Sequence, residues 1–188
     1  MRLLAILPAF LLLGAAPEPP RYHYVLDAAK SDISAKVSFF LVTSKTAHFP
    51  SATGEITLAP DWPDAVQLDV TLDARALTAP DEVTLKRLKG DKFFDVARYP
   101  SVRFSGHHLQ MTGARTAKLS GDLTARGITR PVTLDVTFAE PPLQAKGDRP
   151  LNLSAKVDIN RDDFGMTAYH LIVGKTVTIS IDATMVPG

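Results

Sequence analysis

Six stretches of this chain alternate apolar and polar residues one by one, and few patterns restrict a fold more. Ile33, Ala35, Val37 and Phe39 alternate with Asp32, Ser34, Lys36 and Ser38. The same period recurs in Val66–Leu72, Leu119–Ala125, Val132–Phe138, Leu151–Ile159 and Val177–Ala183. Successive side chains of a strand point to opposite faces, so each stretch has one apolar and one polar side. Such strands belong to antiparallel sheets wetted on one face. With Tyr22–Leu26, Thr53–Leu58 and Ser101–Met111 there are some eight or nine runs, enough for an all-β barrel or sandwich. The polar rows are mostly Thr, Ser and Asp, so the apolar rows are expected to converge inside. An outer-membrane barrel would turn its apolar face to lipid, with longer runs and aromatic girdles.

One segment breaks the alternation. Pro80-Asp81-Glu82 opens a helical turn, Lys86, Arg87 and Lys89 sit in its last turn, and Gly90 follows. The spacing predicts one short helix over Pro80–Lys89, with a narrow apolar edge of Leu85 and Leu88, covering an open barrel end. Phe93 and Phe94 come directly after it, so at least one ring is expected to point inward. Gly127 suits a tight turn with positive φ, Pro131 suits the start of a strand, and Asp162-Asp163-Phe164-Gly165 reads as a turn or bulge. Pro141–Pro150 reads as a loop.

The N-terminus reads as an export signal. Arg2 precedes an apolar run, Leu3–Leu13, and Gly14-Ala15-Ala16 supplies the small residues a signal peptidase accepts. A membrane span needs roughly 20 apolar residues; this run is shorter, contains Pro8, and is followed by Pro17, Pro19 and Pro20, which stop a helix. The expectation is a signal peptide over residues 1–16, a mature domain over 21–187, and a periplasmic location without a stable membrane span. The chain has no cysteine, so its stability must come from an ordinary core rather than from disulfides. A domain of roughly 170 residues buries about 70% of its unfolded surface, which suffices. Twenty-one basic against twenty acidic residues leave a net charge of +1, with no electrostatic footprint for nucleic acid.

Catalytic readings find little support. His107 and His108 are adjacent, so on a regular strand they face opposite sides. His23, His48 and His170 lack ligand spacing, and no Ser/His/Asp constellation or phosphate loop is recognisable. The sequence therefore nominates no catalytic residue, no metal site and no enzyme.

Three segments resemble one family, the YceI-like lipid-binding proteins. The first is Leu85-Lys86-Arg87-Leu88-Lys89-Gly90-Asp91-Lys92-Phe93-Phe94-Asp95, running through Tyr99-Pro100 to Val102-Arg103-Phe104. The second is Gly121-Asp122-Leu123-Thr124-Ala125-Arg126-Gly127-Ile128-Thr129-Arg130-Pro131-Val132. The third is Asn160-Arg161-Asp162-Asp163-Phe164-Gly165-Met166, followed by Val173-Gly174-Lys175-Thr176-Val177. Lys30-Ser31 stands where the family often has His-Ser, and Lys175 where it usually has an acid. The resemblance implies a lipocalin-like, eight-stranded antiparallel barrel that holds a polyisoprenoid or similar lipid in its interior. It implies no cofactor apart from such a lipid, and it leaves a homodimer open.

The expected lining residues are Phe39, Phe93, Phe94, Val102, Phe104, Val136, Phe138 and Phe164. Small inward residues such as Gly121, Ala125 and Ala35 either make room for an alkyl chain or let a neighbouring ring fill the gap. The alternative to a carrier is thus a ligand-free structural or partner-binding barrel with a filled core. Burying each CH₂ contributes about 0.8 kcal/mol, and observed affinities saturate near roughly 20 kcal/mol. A long alkyl chain can therefore bind tightly without polar recognition. Arg126, Thr129, Arg130 and Arg161 are candidates for a phosphate at the rim, against the plainer reading of ordinary solvated loop charges.

Overall fold

The computed structural model describes residues 20–40, 42–59 and 66–188. The expected signal peptide and its cleavage site lie outside the described residues. Ten strands and one helix follow in the order β1 (Tyr22–Leu26), β2 (Asp32–Phe39), β3 (Thr43–His48), β4 (Ala52–Leu58), β5 (Gln67–Asp73), α1 (Glu82–Lys89), β6 (Ser101–Met111), β7 (Thr116–Ala125), β8 (Ile128–Phe138), β9 (Leu151–Asn160) and β10 (Val173–Pro187).

The ten strands make eight staves. β1 and β2 lie against the same edge of β10, with Leu26 opposite Met185 and Ile33 opposite Ile181. They form one stave interrupted by the 3₁₀ turn Ala28–Lys30. Across from them, β4 pairs with β1 (Tyr24 opposite Ile56) and β3 with β2 (Ala35 opposite Ala47), a second stave broken at Phe49-Pro50-Ser51. From β4 onward each strand pairs antiparallel with the next, and β10 returns to β1. The result is a closed, eight-stranded, up-and-down antiparallel barrel, which leaves no free sheet edge over most of its circumference.

Closure is incomplete at one end. β8 pairs with β9 only over Asp135–Phe138, and the 3₁₀ turn Arg161–Phe164 packs against the unpaired part of β8. Pro131 therefore lies inside β8 rather than at its start, in the stretch that β9 does not pair, where a missing N–H costs the ladder least. Among the described residues the outer edge of β3 is likewise met only by a bridge between His48 and Thr78. Over this gap lies α1, whose Leu85 and Leu88 pack with Ile33, Phe49 and Leu77.

The helix begins at Glu82, two residues later than expected, because Asp81 caps it. The Asp81 carboxylate accepts from the Thr84 N–H at 2.8 Å and its hydroxyl at 2.9 Å, and from Lys45 Nζ of β3 at 2.7 Å. That side chain thus both starts the helix and ties it to the barrel.

His107 and His108 do not face opposite sides. A bulge in β6, between Gly106 and His108, inserts one residue opposite β7, and both histidines are exposed. Such a bulge shifts the alternation by one place: Val102 and Phe104 face inward before it, and Leu109 after it. Among the described residues no helix is long and apolar enough to cross a membrane.

Candidate functional site

The inward rows of the staves do not meet in the middle. They surround an inner chamber of about 180 Å³ to which β1, β2 and β4 to β10 all contribute side chains. The wall is aliphatic and aromatic apart from Ser34 and Arg161. A second chamber of about 220 Å³ lies beneath α1, between the helix, the β2–β3 hairpin and the segment Met166–Val173. Ala35, Phe94, Arg161, Met166 and Val177 line both, so the two spaces adjoin at these residues.

A void of this kind has a thermodynamic signature. One water needs about 10–15 Å³ on this scale, yet apolar cavities stay dry for want of hydrogen-bond partners. At about 24 cal/mol per Å³ of cavity, the inner chamber forgoes roughly 4 kcal/mol that a filled core would supply. An apolar ligand would recover that deficit by supplying the missing contacts.

All eight residues singled out from the sequence line this space. Val102, Phe104, Val136, Phe138 and Phe164 face the inner chamber, Phe39 and Phe93 the outer one, and Phe94 both. One of the small inward residues serves the opposite purpose. Phe104 lies over Gly121, where an added Cβ would come within 2.6 Å of its ring and also meet the Ser105 carbonyl oxygen. There the missing side chain accommodates a protein ring. Ala35 borders both chambers, and Ala125 the inner one.

The arginines named from the sequence are held by backbone carbonyls. Arg161, 3% exposed, donates to the carbonyls of Gly174 (2.9 Å), Val173 (3.2 Å) and Met166. Its guanidinium lies 5.9 Å from the Phe93 ring centroid, and burial lowers its pKa from the usual arginine range, with Asp162 opposing the shift. These bonds pin the Arg161–Met166 turn to the start of β10. Arg126 donates to Asp91 O at 2.6 Å and to Gly165 O, joining the β7–β8 turn to the segment after α1. Arg130 donates to Thr129 O at 3.1 Å, and Thr129 bonds Thr124 at 2.8 Å. Lys175 pairs with Asp162 at 3.3 Å.

Tyr169 and its neighbours carry no signal in the alternation. Tyr169 stacks on Phe93 at 6.0 Å with an interplanar angle of 8°. Arg87 and Lys92 approach the same ring at 5.3 and 5.7 Å. Residues 166–172 have no period, and Tyr169 holds a positive φ of 58°, which no sequence pattern forecasts. Among the described residues no group of His, Cys, Asp and Glu is placed to hold a metal ion.

Comparison with known proteins agrees with this geometry. A UPF0312 protein of Pseudomonas putida is 30% identical over 118 residues, 63% of this chain and 62% of its own length. The match thus spans under two thirds of that relative. Another, from Pseudomonas savastanoi pv. phaseolicola, is 26% identical over 165 residues, 87% of this chain and 86% of its own. The crystal structure of Burkholderia cenocepacia BcnA superposes with a TM-score of 0.75 at 21% identity, covering 85% of this chain and 98% of that one. A polyisoprenoid binding domain from Saccharophagus degradans, implicated in plant cell wall breakdown, gives 0.69 at 15% identity, covering 88% and 98%. Residues 24–185 match the YceI-like domain, and the chain belongs to that family.

Proposed function

We propose that this protein binds one long apolar lipid of the polyisoprenoid type, threaded through both chambers, and carries it in the periplasm without altering it. The observation behind this reading is an inner chamber walled by hydrocarbon apart from Ser34 and Arg161, adjoining a second chamber beneath α1. The polyisoprenoid-binding domain of Saccharophagus degradans, which shares the fold, supports the choice of lipid. The apolar N-terminal run with its small-residue end supports export. Affinity comes from burying methylene and methyl groups at about 0.8 kcal/mol each, and selectivity from the length and width of the lumen.

This reading assigns the lumen a binding role and no catalytic step. Arg161 is the one ionisable side chain bordering the inner chamber, and its hydrogen bonds to carbonyls commit it to structure.

The test is mass spectrometry of organic extracts from protein purified out of the periplasmic fraction, with the processed N-terminus read on the same sample. A stoichiometric isoprenoid-type lipid is expected, with re-uptake after delipidation. Extracts without lipid, and no uptake of added isoprenoid, would overturn the proposal.

A further inference from the structure

Apolar side chains left in water are not scattered over this barrel. Among the described residues seven large hydrophobic side chains are exposed, and five of them, Phe40, Val42, Val83, Tyr169 and Leu171, belong to the helix, the β2–β3 turn and the loop before β10, the elements that frame the outer chamber. Val42 and Leu171 are 89% and 95% exposed, so neither contributes to the core. The Phe40 N–H donates to Ile172 O at 2.8 Å, which brings the β2–β3 turn beside the loop that carries Tyr169 and Leu171. Val83 and Tyr169 themselves line the outer chamber. Phe40 and Tyr169 hold positive φ values of 52° and 58°, a conformation non-glycine residues seldom adopt.

The charges at this rim favour one partner. Arg87 and Lys92 flank the Tyr169 ring, and neither is in an ion pair with a carboxylate among the described residues. The nearby Asp81 carboxylate is already occupied by Lys45 at 2.7 Å. Exposed aliphatic tips, aromatic rings and unpaired cations are the composition of a surface that seats in the headgroup region of an anionic bilayer.

We infer that the mouth beneath α1 docks on an anionic lipid membrane, with Val42, Leu171, Phe40 and Val83 entering the leaflet and Arg87 and Lys92 meeting its headgroups. The inference rests on the lipid-carrier reading, since docking there opens the lumen directly to the leaflet that would supply or receive the lipid. An apolar chain then passes between membrane and barrel without crossing water. Each inserted Val or Leu strengthens binding by on the order of tenfold or more, and each cation near the surface by on the order of fivefold at low salt.

Vesicle flotation provides the test, with phosphatidylcholine alone and with phosphatidylcholine mixed with phosphatidylglycerol. Wild type and variants carry the same N-terminus, so differences report on the rim. Wild type is expected to float with the anionic vesicles. The double variant Val42→Asp/Leu171→Asp is expected to lose about a hundredfold in affinity, and Lys92→Glu about fivefold or more, in a salt-sensitive way. Leu143→Asp, at an exposed apolar residue outside this rim, is expected to float as wild type does. Equal flotation of wild type and the double variant would overturn the inference, as would no flotation at all. So would the double variant breaking up a dimer without changing vesicle binding, because the mouth would then seat a second copy of the chain. Uptake of isoprenoid from detergent, measured in parallel, separates the two ideas. Uptake without rim-dependent flotation removes docking alone; rim-dependent flotation without uptake keeps docking and removes the cargo.

Discussion

Replacing Ala155 with leucine distinguishes a hollow barrel from a solid one by the sign of its effect. Ala155 sits midway along β9, opposite Val136 on one side and Ile181 on the other, and its side chain faces the inner chamber. Leucine adds three carbons. If they enter an unfilled apolar space, each contributes about 0.8 kcal/mol, roughly 2.4 kcal/mol in all. Fixing the leucine rotamer costs about 0.5–1 kcal/mol, leaving a net stabilisation of about 1.5 kcal/mol. For a domain of this size that raises Tm by about 3–6 °C. The assay is thermal and urea unfolding of delipidated wild type and Ala155→Leu, followed by the same comparison after loading with isoprenoid. Stabilisation is expected only in the empty protein, because in the loaded one the new carbons compete with lipid. A close-packed interior predicts the reverse, a loss of about 1–3 kcal/mol from overpacking. That loss in the delipidated protein would refute the reasoning.

Gly121→Ala is expected to destabilise by about 1–3 kcal/mol although alanine is normally the better residue in a strand. The Phe104 ring and the Ser105 carbonyl already occupy the place of its Cβ, and urea midpoints measure the cost. Arg161→Met is expected to cost about 3 kcal/mol by the same assay, since three buried carbonyls lose a charged donor. Arg161→Lys should not restore it, because an ammonium cannot reproduce the planar fork. Asp81 gives a pH signature. The bond from Lys45, then those from the Thr84 N–H and hydroxyl, lower its carboxyl from 3.8 to about 2. A folded-state pKa below the unfolded value means that the stabilisation is complete above about pH 4 and lost as pH falls through about 2. Hydrogen exchange of α1 amides should accelerate across that window in wild type and show no such step in Asp81→Ala.

Much of the barrel was legible because a strand repeats every two residues and a closed barrel has only two faces. Rows such as Val132-Leu134-Val136-Phe138 identify at once a strand, its inward side and a share of the lumen wall. β3 escaped this reading because Thr43-Ser44-Lys45-Thr46-Ala47-His48 buries only Ala47 and leaves one edge nearly unpaired. The bulge at Gly106–His108 was equally invisible, since inserting a residue changes which side chains face out without changing composition. The outer chamber depends on pieces from three unrelated places: the helix face at Val83 and Arg87, the hairpin at Phe39, and the aperiodic Met166–Val173. Tertiary structure alone brings them together. Arg161 follows the same logic, for a lone cation reads as exposed until the carbonyls of Met166, Val173 and Gly174 are seen to surround it.

Diffraction from delipidated crystals under xenon pressure tests most directly whether the staves enclose a void. Xenon binds dry apolar cavities, so ordered density is expected in the inner chamber among Phe104, Val136 and Ile181, and in the outer one beneath α1. Bound isoprenoid should exclude the gas from both. An inner chamber free of xenon, with Phe94, Phe104 and Phe138 turned in to close it, would contradict the account.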